Sequence, residues 1–290
     1  MSAPLSRALA ELRVRRLTPA DLVACADLCE DRGWPRDEHR WGLLLAAGIG
    51  YGIDDPAEGG GLAATCVVTS YGPRLAAVGM LLVAGRHARQ GIARHLMRRV
   101  IDAAGDTPLS LYATPAGRPL YEQLGFEAVA RAERVTGNFV PTSGDEPGKG
   151  IRPATAEDLH ALVRLDTEVF GVDRTHVLAR LPAYADHLRV AEENGGIVGY
   201  AAAWPSAGTQ VIGPLIAPDT RTAQGLITSL AAATDLPLRM DIDARHAELL
   251  VRLKERGLSV GSSTTVMTYG APDLPGDWTR RFAPLTVAMG

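Results

Sequence analysis

Apolar positions along this chain fall into short unbroken runs and longer stretches with helical spacing, and their order predicts a mixed α/β protein. Residues 78 to 84, Val-Gly-Met-Leu-Leu-Val-Ala, carry no charged or strongly polar side chain, so a strand here is expected to be buried on both faces. A short basic turn follows. Ile92, Leu96, Met97, Val100 and Ile101 then recur at helical spacing, and Gly105 supplies a stop. Upstream, the pattern predicts a strand near 12 to 16, helices over 19 to 31 and 36 to 47, and strands near 61 to 70 and 76 to 84. Downstream it predicts a strand at 109 to 113, a helix over 117 to 124 and strands after Phe126. The sum is a mixed central sheet with helices on its faces.

The pattern occurs twice. Val14-Arg15-Arg16-Leu17-Thr18-Pro19-Ala20-Asp21-Leu22 is answered by Ile151-Arg152-Pro153-Ala154-Thr155-Ala156-Glu157-Asp158-Leu159. In both, a strand is followed by a threonine, an acidic first turn and an apolar helix, which is N-cap chemistry. Gln90-Gly91 is matched with Gln224-Gly225, and Leu124-Gly125-Phe126 with Arg256-Gly257-Leu258, so an internal duplication is expected. Residues 141 to 150 are rich in Pro, Gly and polar groups and read as a linker. That divides the chain into two tandem domains, 1–140 and 151–290.

Composition narrows the class. With 290 residues, 46% hydrophobic content and a net charge of −3, the chain suits two medium globular domains, and nothing global points to nucleic acid. Apolar runs are far shorter than the ~20 residues that span a bilayer, and the start lacks a secretory pattern, so no membrane partner and a cytoplasmic location are expected. Cys25, Cys29 and Cys66 form no disulfide framework and are expected to be buried, inert thiols. No His/Cys/carboxylate cluster has metal-ligand spacing.

The candidate chemistry lies where the buried strand turns into the helix. Gly91 and Ala93 keep the backbone bare, so an anion can approach free N–H groups at the positive end of the helix dipole, with Arg86, Arg89 and Arg94 beside it. At this turn, and at Thr114-Pro115-Ala116-Gly117-Arg118-Pro119-Leu120-Tyr121-Glu122-Gln123-Leu124-Gly125-Phe126, the chain resembles the GCN5-related N-acetyltransferases. Gly33-Trp34-Pro35 with Trp41, residues 169 to 174 and Arg281-Phe282-Ala283 resemble a tandem subgroup whose second domain is degenerate.

The resemblance implies that residues 86 to 94, among them Gln90 and Ile92, cradle the pyrophosphate of acetyl-coenzyme A. It also implies that the strand edge at Leu81, Leu82 and Val83 meets the pantetheine arm and the thioester. Tyr121 takes the place of the family's tyrosine near the sulfur and is expected to act as general acid in transfer of an acetyl group to the primary amine of a small molecule. The first motif position, usually Arg or Gln, is Ala88 here, so the turn is expected to lack one of its usual supports. Trp34, Glu38, Trp41, Tyr71, Asp173 and Arg174 are candidates for lining the acceptor site, with Asp37, Glu38 or His39 as sources of a base. In the second copy, Ile227 is matched with Ala93, Asp219 enters the turn and Leu253 replaces Tyr121, each opposing cofactor chemistry. A mycothiol-synthase-like enzyme and a non-catalytic acyl-coenzyme A sensor are the alternatives. Oligomeric state does not follow from the pattern.

Overall fold

A computed structural model describes residues 12–56, 61–142 and 148–290. The first eleven residues, read above against a secretory pattern, and the middle of the expected linker, 143–147, lie outside the described residues. Among the described residues thirteen strands form one sheet. The first six are β1 (Val14–Arg16), β2 (Ile49–Asp54), β3 (Leu62–Ser70), β4 (Ala76–Val83), β5 (Leu109–Ala113) and β6 (Glu127–Gly137). The others are β7 (Ile151–Pro153), β8 (His187–Glu193), β9 (Gly196–Ser206), β10 (Thr209–Ile216), β11 (Leu238–Asp243), β12 (Ser259–Tyr269) and β13 (Arg281–Ala283). The helices are α1 (Leu22–Asp31), α2 (Glu38–Ala47), α3 (Ile92–Ala104), α4 (Arg118–Gln123), α5 (Leu159–Phe170), α6 (Thr175–Leu178), α7 (Leu181–Tyr184), α8 (Thr220–Ala231) and α9 (Ala247–Glu255).

Strand order is β1-β2-β3-β4-β5-β12-β6-β11-β10-β9-β8-β7, with β13 added on β10. The two repeats therefore exchange strands. β12, from the second repeat, pairs with β5 of the first (Thr265 opposite Ala113), and β6, from the first, pairs with β11 of the second (Asp241 opposite Arg134). β6 and β12 pair with each other at the centre. The boundary at 141–150 in the chain is consequently not a boundary in space: each half completes its sheet with the other's strand.

Both repeats begin with the same small structure. Asp21 accepts from the Thr18 N–H at 2.7 Å and from Arg15 at 2.7 Å, and Asp158 accepts from the Thr155 N–H at 2.7 Å and from Arg152 at 2.7 Å. The expected threonine caps are thus capping boxes in which the aspartate reaches back.

One face of the sheet carries α1, α2 and α5 to α7 on a single apolar core that runs across both halves, including Trp41, Leu44, Phe170 and Trp204. The opposite face carries two separate cores, one under α3 and one under α8 and α9. β4 runs between the shared core and the α3 core, with Ala77, Met80 and Leu82 facing one and Ala76 and Val78 the other. Its unbroken apolar run is thereby explained.

Candidate active site

β4 and β5 are parallel partners only at Ala76–Leu109, Ala77–Ser110 and Val78–Leu111. Beyond Val78 they part, although β4 continues to Val83 and β5 to Ala113. The parting coincides with a bulge. Register against β3 shifts between Thr65 and Val67, and Met80 takes φ 51°, an expensive conformation for a residue with a side chain. The Thr65 hydroxyl donates to the Met80 carbonyl at 3.0 Å and fixes the kink. The result is an open strand edge over residues 79 to 83, the stretch that holds Leu81, Leu82 and Val83.

That edge leads into the turn at 84 to 91. Gly91, at φ 86°, caps α3 in a left-handed conformation, and Arg89 sits at φ 60°. Among the described residues no hydrogen bond engages the N–H groups of residues 89 to 94, so a run of donors is left at the helix start. Ala88 indeed gives no side-chain support, and two carboxylates replace it. Asp31 at the end of α1 accepts from the Gly85 N–H at 2.5 Å, and the buried Asp55 accepts from Arg86 Nε at 2.7 Å and His87 Nε2 at 2.8 Å. Arg86 is therefore spent on the turn itself. Arg94 is bonded to Gln123, and Gln90 donates to the Arg86 carbonyl at 3.3 Å. Arg89 is exposed with no described side-chain partner, the cation of the turn best able to meet an anion. Sequence reading missed Asp31 and Asp55, because an isolated aspartate carries no signal of the loop it will brace.

Tyr121 stands on α4, with its ring edge-on to Phe126 at 5.8 Å and packed against the same core as Leu81 and Val83. Burial pushes its phenol well above the ordinary tyrosine value, with a smaller contribution from Cys66. It is a retained proton on the core that Leu81 and Val83 also pack against.

The acceptor-side candidates separate. Trp41 is fully buried, with its indole N–H donating to Cys29 Sγ at 3.2 Å, so it belongs to the core and not to a pocket wall. Arg174 is also fully buried, in a two-pronged pair with Asp166 at 2.7 and 3.0 Å that also receives Tyr200 at 2.5 Å. It is a structural ion pair. Tyr71 donates to the Met289 carbonyl at 2.5 Å and, with Asp173, lines an open cleft of about 650 Å3 between the β3–β4 turn and α6. That cleft is at the end of β4 remote from the 84–91 turn. Asp173 caps Thr175 at 2.8 Å. Trp34 is 38% exposed and Glu38 pairs with Arg36 at 2.8 Å, and neither shares a described contact with that group. Asp37 and His39 are committed too: Asp37 accepts from Ser206 at 2.6 Å, and His39 lies on the Tyr184 ring at 4.3 Å.

The second half differs at each corresponding point. Between β10 and α8 lie only residues 217 to 219, against 84 to 91 in the first half. Asp219 caps α8 by accepting from the Thr222 N–H at 2.7 Å, placing its own carboxylate at the helix start. The proposed match of Gln224-Gly225 with Gln90-Gly91 is corrected: Gln224, Gly225 and Ile227 are buried inside α8, and a Cβ on Gly225 would meet Ile151 Cδ1 at 2.7 Å. That glycine serves packing. The Leu253 match stands, since Leu258 N–H bonds the Leu253 carbonyl as Phe126 N–H bonds that of Tyr121.

β10, like β4, leaves its parallel partner early, after Val211. Here, however, the gap is filled. Leu215 and Ile216 pair with Ala283 and Arg281 of β13, and a Cβ on Gly213 would stand 2.2 Å from the Pro284 carbonyl. The same segment then crosses to the first half, where a Cβ on Gly79 would stand 2.4 Å from the Ala288 carbonyl.

Two family models described as acetyltransferase (GNAT) domain match residues 66–141 and 162–283, together well over half of the chain. The uncharacterized N-acetyltransferase YitH of Bacillus subtilis (strain 168) is 27% identical over 245 residues, 83% of this chain and 86% of that protein. Among solved structures, a putative acetyltransferase from Pyrococcus horikoshii superposes with a TM-score of 0.79 at 18% identity, covering 96% of each chain. A tandem GNAT protein from the clavulanic acid biosynthesis pathway superposes with 0.62 at 14% identity, covering 91% of this chain and all of that one. The chain belongs to the GNAT N-acetyltransferases and carries two such domains in tandem.

Proposed function

We propose that the protein transfers the acetyl group of acetyl-coenzyme A to the primary amine of a small molecule, with one cofactor site per chain, in the first half. The observation that carries this reading is the contrast between the halves. The first keeps an open β4 edge and a run of unpartnered N–H groups at 89 to 94, whereas the second has β13 in the gap and Asp219 at the helix start. Backbone donors at a helix N-terminus suit a pyrophosphate, and a carboxylate in the same place repels one.

Acetyl-coenzyme A supplies an activated acyl group. The residues of this chain do the rest. N–H groups along Leu81 to Val83 orient the carbonyl and stabilise the charge that develops on its oxygen. Tyr121 holds a proton that burial keeps in place and passes it to the departing sulfur. Asp37, Glu38 and His39 already have structural partners, which leaves the amine proton to solvent water.

Calorimetric titration with acetyl-coenzyme A tests the reading. One site per chain that disappears in Gly91→Glu is expected; two sites, or retained binding in that variant, would overturn it.

A further inference from the structure

At the seam between the halves, on the face of the shared core, Arg40 of α2, Arg134 of β6 and Arg239 and Asp241 of β11 line a void of about 20 Å3, closed by Trp204 and residues 284 to 287. The charges around it do not balance. Arg134 is paired with Asp241 at 2.9 Å. Asp37 is engaged by the Ser206 hydroxyl at 2.6 Å and the Arg40 N–H at 2.9 Å, and lies 3.8 Å from Arg40 Nε. Arg239 has no described carboxylate partner, and its one described hydrogen bond is a 3.5 Å contact from Nη2 to Ser206. Three guanidinium groups thus face two carboxylates.

Two side-chain donors of residues that line the void, Arg40 Nε and Arg239 Nε, are shut off from solvent without a hydrogen-bond partner. Buried donors are ordinarily satisfied and buried charges ordinarily paired, so this arrangement is costly as it stands.

We propose that the void is a binding site for a free monatomic anion, a halide such as chloride, that bridges the two halves. The argument from chemistry has three parts. The unused valences are two guanidinium N–H donors, which call for an acceptor. A water molecule would accept but would leave the excess positive charge uncompensated, whereas a monoanion cancels it. A space of about 20 Å3 admits one water-sized group and excludes a phosphate or diphosphate. The site lies on the face opposite α3 and does not depend on where acetyl-coenzyme A binds. Its ligand would tie α2 of the first half to β11 of the second.

Thermal unfolding of the full chain in sodium chloride or sodium bromide, against a bulky organic sulfonate at equal ionic strength, tests the site. The midpoint is expected to rise saturably by about 2–4 °C with the small anions and not with the sulfonate. Arg239→Gln is expected to abolish that rise, while Arg99→Gln, on the exposed face of α3, keeps it. Bromide-soaked wild-type crystals should show an anomalous peak in contact with Arg239 Nε, a measurement that decides the matter even if Arg239→Gln does not fold. An equal rise in all three salts, a rise that survives in Arg239→Gln, or an ordered water in place of bromide would overturn the proposal.

Discussion

Two residues show how local chemistry sets measurable behaviour. Tyr121 is an acid whose ionised form is disfavoured by burial, so its phenol keeps its proton through the neutral and mildly alkaline range. The rate–pH profile should therefore show no loss from phenol ionisation below about pH 10, the unperturbed tyrosine value. Tyr121→Phe should cut turnover at least tenfold with acetyl-coenzyme A affinity unchanged, measured by thiol release beside calorimetry; undiminished turnover would remove it from the mechanism. Asp21 is the opposite case. Arg15, together with the Thr18 N–H, lowers its pKa from 3.8 to about 2. A carboxyl held lower in the folded state stabilises the fold above its unfolded pKa, and that stability drains away as pH falls from about 4 to about 2. Asp158 is held down in the same way by Arg152. Asp21→Asn should cost about 1 kcal/mol in urea unfolding at pH 7, and much less at pH 2.

At the scale of elements, the segment 281 to 290 separates two halves that otherwise share a plan. As β13 it fills the gap beside β10, and a few residues later it presses on Gly79 of β4. Gly79→Ala would put a methyl group 2.4 Å from the Ala288 backbone oxygen. Overpacking of that kind costs about 1–3 kcal/mol, expected as an earlier midpoint in denaturant with the sheet content by circular dichroism retained. Helices and strands with strong periodicity, such as α3 and β4, were legible beforehand. β2 was not, and its glycines explain why. Side chains on Gly50 and Gly52 would lie 2.8 and 2.5 Å from Leu17, so the strand needs bare positions where an alternating apolar pattern would otherwise have announced it. The Gln224-Gly225 match failed for a related reason: a glycine needed for helix packing against Ile151 looks, in sequence, like one needed for a turn.

For the whole molecule the exchange of β6 and β12 has the largest consequence. A fragment ending near residue 142 would keep β5 and β6 without the β12 strand that lies between them, leaving unpaired edges along the middle of its sheet. It would also lose the opposite side of the core shared by α1, α2 and α5 to α7. Residues 12–142 expressed alone should elute as associated or aggregated material in size-exclusion chromatography; a stable, well-dispersed monomer would show that the exchange is dispensable. The amino-acid sequence by itself determined what depends on neighbours in the chain: the duplicated Arg-Thr-Asp starts, the apolar β4 run, the bare turn before α3, and the tyrosine in the first half where the second has leucine. Tertiary structure alone decided what depends on residues far apart in the chain. Asp31 and Asp55 brace a turn some thirty or more positions away, β13 closes one gap while its counterpart stays open, and β12 joins a half that ended more than a hundred residues earlier. Propensity and capping act within a few residues and leave a readable pattern, whereas packing selects its partners only once the chain has folded.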